Sequence, residues 1–227
     1  MTEHPEFRPA TFERIELGDM TALSRYKFLT ATVVPRPIAL VSTLNPNGSV
    51  NLAPFSQFVI LSASPPILGI VSGRHPDGRK DTHSNILRTG EFVINTVDEA
   101  LAVPTQQSAY PFRPEISETE LLGLGTRATT SVAGRAVAAS PLAFECRLVR
   151  TESFGETATL IAGEVVAVTA RQGLVSGHRV AHDKLRPLGR IAGRDYCRTG
   201  EVVSMPPDLD AAFAALGRHN QTGKVLP

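Results

Sequence analysis

The chain has 227 residues, a net charge of +1, 42% apolar residues and 20% charged residues. That length fits one large domain with excursions and can bury a core without disulfide or metal staples. The composition excludes a disordered chain, and the near-zero charge excludes a global field that would gather nucleic acid or an anionic membrane surface, so neither is an expected partner.

Pro35–Leu44 (PRPIALVSTL) is apolar, β-branched and bounded by prolines, which predicts a strand. Asn45-Pro46-Asn47-Gly48 is a tight turn, because Gly48 takes positive φ without cost and Asn47 tolerates it. Ser49–Leu61 returns as a second strand, with Pro54 marking an edge, a bulge or a bend. Ile67–Val71 and Glu91–Val97 are two further strands. The stretch between them opens as a loop and closes as a short helix, with Asp81 as expected N-cap and Gly90 at its end.

Asp98–Gly123 is the helical part: Asp98 caps a helix expected to break near Pro104, and Ser117 with Glu120 forms a capping-box pattern. Arg127–Ala139 is small and uninformative. From Leu142, the residues Leu142, Phe144, Cys146 and Leu148 alternate with Glu145 and Arg147, the period of a half-buried antiparallel strand. Thr157–Thr169 is a long returning strand with a bend at Gly163, and Asp208–Gly217 reads as a short amphipathic helix.

Strands joined by hairpins, interrupted by helices and then resumed, predict a mainly β fold with helical additions. The expected form is a closed or nearly closed antiparallel barrel, because a doubly wound parallel sheet would need helices between most strands. The expected organisation is an N-terminal extension over 1–30, a barrel domain over 31–204 with a helical excursion over 98–125, and a C-terminal helix and tail over 205–227.

Two segments carry chemistry. Arg79-Lys80-Asp81-Thr82 opens a helix, where free N–H groups, the positive dipole end, a lysine and a hydroxyl suit a phosphate. The same residues also read as an exposed basic loop with an ordinary cap. Asn51–Phe58 (NLAPFSQF) places Asn51, Ser56 and Gln57 in an apolar run, and Pro54 leaves backbone groups without ladder partners. That suits the polar edge of a flat heterocycle; a bulge at a barrel corner explains it equally well.

Taken together, PRPIALVST, NLAPFSQF, Pro65-Pro66, KDTHSNILRTGEFVIN, GEVVAV (163–168) and RPLGRIAGRDY (186–196) resemble the flavin reductase-like family of FMN-binding split β-barrels. The match runs from about Pro35 to Tyr196. It implies that Lys80 and Thr82 hold the FMN phosphate, with Asn85 one helical turn on in the cofactor site, and that Ser42 and Thr43 approach the phosphate or ribityl chain. It also implies that Asn51, Leu52, Ala53 and Ser56 line the isoalloxazine, with Phe58 as a packing neighbour. By the same resemblance the flavin lies near a homodimer interface, with NADH or NADPH as electron donor and free flavin, an oxygenase or another electron-acceptor protein as recipient.

The first reading is therefore an NAD(P)H-dependent flavin reductase passing electrons through FMN. The alternatives are an FMN oxidase or oxygenase component with its own organic substrate, and a non-enzymatic FMN electron carrier. Hydride transfer to a flavin needs no side-chain acid or base, so no catalytic residue is named. His178 and His182, four apart, would share a helix face, but no further ligand completes a metal site; solvated loop histidines are the simpler reading. Arg190 and Tyr196 read either as active-site residues at the far rim or as packing and interface residues, and Arg74 and His75 as an anion contact or plain surface. Cys146 is a core residue. Cys146 and Cys197 form no CxxC pair, the N-terminus lacks a signal-peptide apolar region, and no run has transmembrane length, so a reducing cytoplasm is the expected location.

Overall fold

The structure, a computed structural model, describes residues 11–73 and 78–200. Arg74, His75 and the helix expected at Asp208–Gly217 lie outside those residues. In chain order the elements are α1 (Ala22–Thr32), β1 (Arg36–Pro37), β2 (Ala39–Leu44), β3 (Val50–Phe55), β4 (Phe58–Ala63), β5 (Pro66–Gly73), α2 (Asp81–Thr89) and β6 (Glu91–Thr96). A 3₁₀ turn (Glu99–Leu101) leads into α3 (Ala102–Gln107) and α4 (Glu118–Leu121), followed by β7 (Thr126–Ala128), β8 (Arg135–Val137), β9 (Leu142–Phe154) and β10 (Ala158–Ala170). The described chain closes with β11 (Val175–Ser176), β12 (Arg179–Val180), α5 (His182–Leu185), β13 (Leu188–Arg190) and β14 (Tyr196–Arg198).

The main sheet has seven strands in the order β3-β2-β6-β9-β10-β5-β4, and its pairings are antiparallel. The strands at its two ends, β3 and β4, are consecutive in the chain. Only Ser56 and Gln57 separate them, and the Gln57 carbonyl already accepts from Val71 N on β5 at 2.9 Å. The sheet therefore curls until its ends nearly meet. Its inner face buries Val41, Phe55, Ile70, Phe92, Ile94, Cys146 and Ile161, with Ile86 of α2 added. Each large side chain taken fully from water there contributes about 1.5–3 kcal/mol before the entropy of ordering is subtracted. Strand alternation sends Leu40 and Leu52 the other way, into a second cluster with Ile38, Val97, Leu101, Val137 and Leu188. Helix α3, β8 and β13 thus cover one outer face of the sheet.

Several expectations are corrected by the structure. The first strand is two: Arg36–Pro37 pairs with β13, and Ala39–Leu44 enters the main sheet. The second strand breaks at Ser56–Gln57, while Pro54 sits inside β3 opposite Leu40, at the edge of the sheet as one of the expected alternatives had it. Lys80, not Asp81, is the N-cap of α2, and no side chain caps that end. Gly90 closes the helix in the left-handed conformation, as expected (φ 72°). Pro104 does not break α3; it lies in the first turn, where its missing N–H costs nothing. Asp98 precedes the 3₁₀ turn without a side-chain capping bond, whereas Ser117 does cap α4.

Arg127–Ala139 contains the hairpin β7–β8. Its turn bears on β9, where Glu145 is fully buried and not on an outward polar face. The carboxylate Oε2 accepts from Thr130 N at 3.1 Å and Ser131 N at 2.6 Å. Gly163 does mark an irregularity: the β9–β10 register shifts between Ala162 and Gly163. A Cβ at Gly163 would lie 2.3 Å from Phe92 Cζ. Among the described residues no helix is long and apolar enough to cross a membrane.

Candidate functional site

On β2, Thr43 pairs with Asn51 of β3, and both face the amino end of α2. All of Thr43, Asn51, Thr82 and Asn85 are buried. The Asn51 amide donates to Thr43 Oγ1 at 3.2 Å and to Thr82 Oγ1 at 2.9 Å. The Asn85 amide donates to Thr43 Oγ1 at 3.2 Å and to Asn45 Oδ1 at 2.8 Å. A closed polar network therefore fixes the first turns of α2 against the two strands, and satisfied buried networks of this kind are rigid. Lys80 stands at its mouth with Nζ 5.4 Å from the centre of the Phe55 ring. Burial lowers the Lys80 pKa from its ordinary value. One turn in, burial and then the Arg79 charge hold His83 below the usual imidazole range.

The outer edge of β3 is bonded by α4. Ser117 Oγ donates to the Val50 carbonyl at 2.8 Å, and Glu118 Oε2 accepts from Leu52 N at 2.8 Å. Pro54 occupies the next position of the same parity, where an edge-facing N–H would otherwise stand. Burial raises the Glu118 pKa and the nearby Asp81 charge adds to it, while the N–H groups of Leu52 and Glu118 itself oppose the shift.

Pro54 and Ser56 border a cavity of about 360 Å³ that also draws on α1, β1, β13 and β14. Arg36 is buried at its base. Its guanidinium donates to Ser56 Oγ at 3.3 Å, to the Val33 carbonyl at 3.1 Å and to the Thr30 carbonyl. Across the cavity, Arg190 donates to Gln106 Oε1 at 2.9 Å and to Tyr196 Oη. The Tyr196 hydroxyl donates to the same Gln106 oxygen at 3.0 Å.

With this geometry in hand, a family model described as the flavin reductase like domain matches residues 31–188. The chain belongs to the flavin reductase-like family. Nitrilotriacetate monooxygenase component B from Bacillus cereus is 30% identical, superposes with a TM-score of 0.84, and is covered over 87% of this chain and 100% of its own. The 2-nitrobenzoate 2-nitroreductase NbaA of Pseudomonas fluorescens is 33% identical with a TM-score of 0.81, over 87% of this chain and 98% of its own. A split-barrel protein from Shewanella frigidimarina, 20% identical with a TM-score of 0.76 over 88% of this chain and 100% of its own, shares the fold. The antiparallel seven-stranded sheet is thus the split β-barrel of this flavoprotein family.

Against that family background, the ten residues proposed from sequence fall into three places. Thr43, Asn51, Thr82 and Asn85 form the network, with Lys80 beside it and Ala53 packed on the inner cluster. Ser42 and Leu52 lie on the opposite face. The Ser42 hydroxyl donates to the Arg135 carbonyl at 2.6 Å and accepts from the Asn95 amide at 3.1 Å, and Leu52 is fully buried. Ser56 belongs to the Arg36 cavity, and Phe58 packs against the inner cluster. Sequence reasoning missed Glu118, Arg36, Gln106 and His83; only the Ser117–Glu120 cap marked the neighbourhood of Glu118. His178 lies in the turn between β11 and β12 while His182 begins α5, so they share no helix face. Among the described residues no His, Cys, Asp and Glu cluster could hold a metal.

Proposed function

We propose that this family member binds FMN and is an NAD(P)H-dependent flavin reductase that hands electrons to free flavin or a partner protein. The observation that carries the reading is the half-buried Lys80 beside the side-chain-uncapped amino end of α2, held in place by the Thr43–Asn51–Thr82–Asn85 network. A helix amino end with a neighbouring ammonium and hydroxyl fits a phosphate monoester. The adjacent segment fits a flat ring, since the apolar Ala53 and Phe55 lie on the same face as Lys80 and the Asn51 network.

In this reading Lys80 and the α2 N–H groups bind the phosphate, and Thr82 and Asn85 orient that end. Asn51, Ala53 and Ser56 orient the ring system. Bound flavin supplies the hydride-accepting and electron-passing chemistry. The protein's part is binding, orientation and exclusion of water. The exposed apolar run Val59, Ile60 and Leu61 of β4 (48%, 75% and 44% exposed) supports a homodimer. The free thiols Cys146 and Cys197 fit a reducing cytoplasm.

Titration with FMN tests the site: Lys80→Ala weakens binding by about tenfold to a hundredfold, the value of one charge-assisted contact. Unchanged affinity in a folded variant refutes the phosphate assignment. Visible absorption of the FMN-loaded protein tests the donor. Prompt anaerobic bleaching by NADH or NADPH is expected; resistance to both leaves the organic-substrate oxidoreductase or the electron carrier. Light scattering is expected to give a dimer.

A further inference from the structure

The cavity beside Ser56 has a charge pattern that the flavin reading does not use. It is lined by three cationic side chains, Lys27, Arg36 and Arg190, and among the described residues none of its lining side chains is acidic. Arg36 is only 8% exposed. Its described hydrogen bonds go to two main-chain carbonyls and to Ser56 Oγ, all neutral groups. Arg190 is likewise held by neutral partners: Gln106, Tyr196 and the Gly193 carbonyl. Burial lowers the Arg36 pKa, the neighbouring Arg190 charge adds to that and Tyr26 opposes it. Two guanidinium groups sharing one recess, with no carboxylate among the described lining residues, are stable when an anion joins them, since a buried charge needs a counter-charge.

The walls say what the rest of that anion is. Tyr26, Ile38, Pro54 and Tyr196 offer flat or apolar surfaces, and the Arg190 guanidinium lies 4.5 Å from the centre of the Tyr196 ring. A volume of about 360 Å³ is at the small end for ligand pockets and too small for a whole dinucleotide. Planar guanidinium forks match the geometry of a carboxylate. Pro54 and Ser56 alternate with Ala53 and Phe55, so the cavity opens on the opposite face of this segment from Lys80.

We propose that this cavity is a second ligand site, for a small organic carboxylate with a flat apolar body, its carboxylate held between Arg36 and Arg190. The site shares Ser56 with the segment read as orienting the flavin ring, but its two guanidinium groups lie apart from Lys80 and the α2 network.

The test is calorimetric titration of the full chain, with and without FMN, using benzoate, its neutral isostere benzamide and inorganic phosphate. Benzoate is expected to bind at least about tenfold more tightly than benzamide, the value of a charge-assisted contact. Arg190→Gln is expected to weaken benzoate by a similar factor. Lys27→Met, a change at an exposed lining position, is expected to weaken it by less and controls for folding. Lys80→Ala is expected to leave benzoate affinity unchanged while reducing FMN affinity, so failure of one site is distinguished from failure of the other. Equal binding of benzoate and benzamide, no benzoate binding, or an unaffected Arg190→Gln variant overturns the proposal. Phosphate competing as strongly as benzoate overturns the carboxylate class. Displacement of benzoate by FMN in the Lys80→Ala protein overturns the independence of the two sites.

Discussion

Glu118 offers a direct test of how the β3 edge is held. Its Oε2 is the acceptor for the buried Leu52 N–H at 2.8 Å, and Leu52 has no exposed surface. Glu118→Ala leaves that N–H buried without a partner, which costs about 1–3 kcal/mol. For a chain of this size that is a fall in Tm of roughly 2–12 °C. Glu118→Gln keeps an acceptor oxygen and removes the charge, so its loss is smaller. The two variants also separate by pH. Burial raises the Glu118 pKa above its ordinary 4.5. The folded state then disfavours the carboxylate relative to the unfolded chain, so the contribution of this group is full below the ordinary value and is lost as pH rises through the raised one. Glutamine suffers no such loss. The Tm of Glu118→Gln should therefore gain on wild type between about pH 4 and about pH 7. Thermal melts by circular dichroism at both pH values read this. An alanine variant that melts with wild type, or a glutamine variant that loses ground as pH rises, refutes the account of this contact.

Gly163→Ala places a Cβ 2.3 Å from Phe92 Cζ and should destabilise by about 1–3 kcal/mol; combining it with Phe92→Leu should recover part of the loss in denaturant melts. Affinity for FMN should fall on the alkaline side, beginning below the ordinary lysine value of 10.5 because burial depresses Lys80, and Lys80→Arg should hold affinity to higher pH. Fluorescence titrations across pH check this. Cys146 is fully buried and its pKa is pushed up to about 12 by burial and then by Glu145, so it should resist a thiol reagent in the folded protein. Cys197, half-buried, should react first; a Cys197→Ser variant that still labels rapidly would contradict the buried position of Cys146.

The strands were legible where local patterning and long-range packing agree. Leu142–Leu148 shows its pairing in alternation, Thr157–Thr169 reads as its returning partner, and the Asn45–Gly48 turn is set by its own chemistry. Helix α1 was not legible because it buries none of its residues, so no apolar face was selected. Alternation put Glu145 on the polar face but could not say that the β7–β8 turn covers that face and supplies two N–H donors. Proline at 54 reads as an edge, a bulge or a bend, and the edge is what the fold shows, since β3 ends the sheet and an edge strand can hold proline. At the site, the resemblance pointed to Thr43, Asn51 and Thr82, each next to a strand or helix end, and to Asn85 in the middle of α2. The Arg36 cavity was hidden because it joins Tyr26, Ser56 and Tyr196, residues that only the tertiary fold brings together.

The bonding of β3 by α4 also bears on what another strand could do at this edge. An extended segment laid along Val50–Pro54 would find the Val50 carbonyl engaged by Ser117, the Leu52 amide engaged by Glu118, and no donor at Pro54. Backbone pairing between molecules, the first step of runaway sheet growth, has no template there. Association through this part of the barrel must therefore proceed by side-chain contact, which can be made specific and reversible, and β3 keeps its register whatever binds beside it.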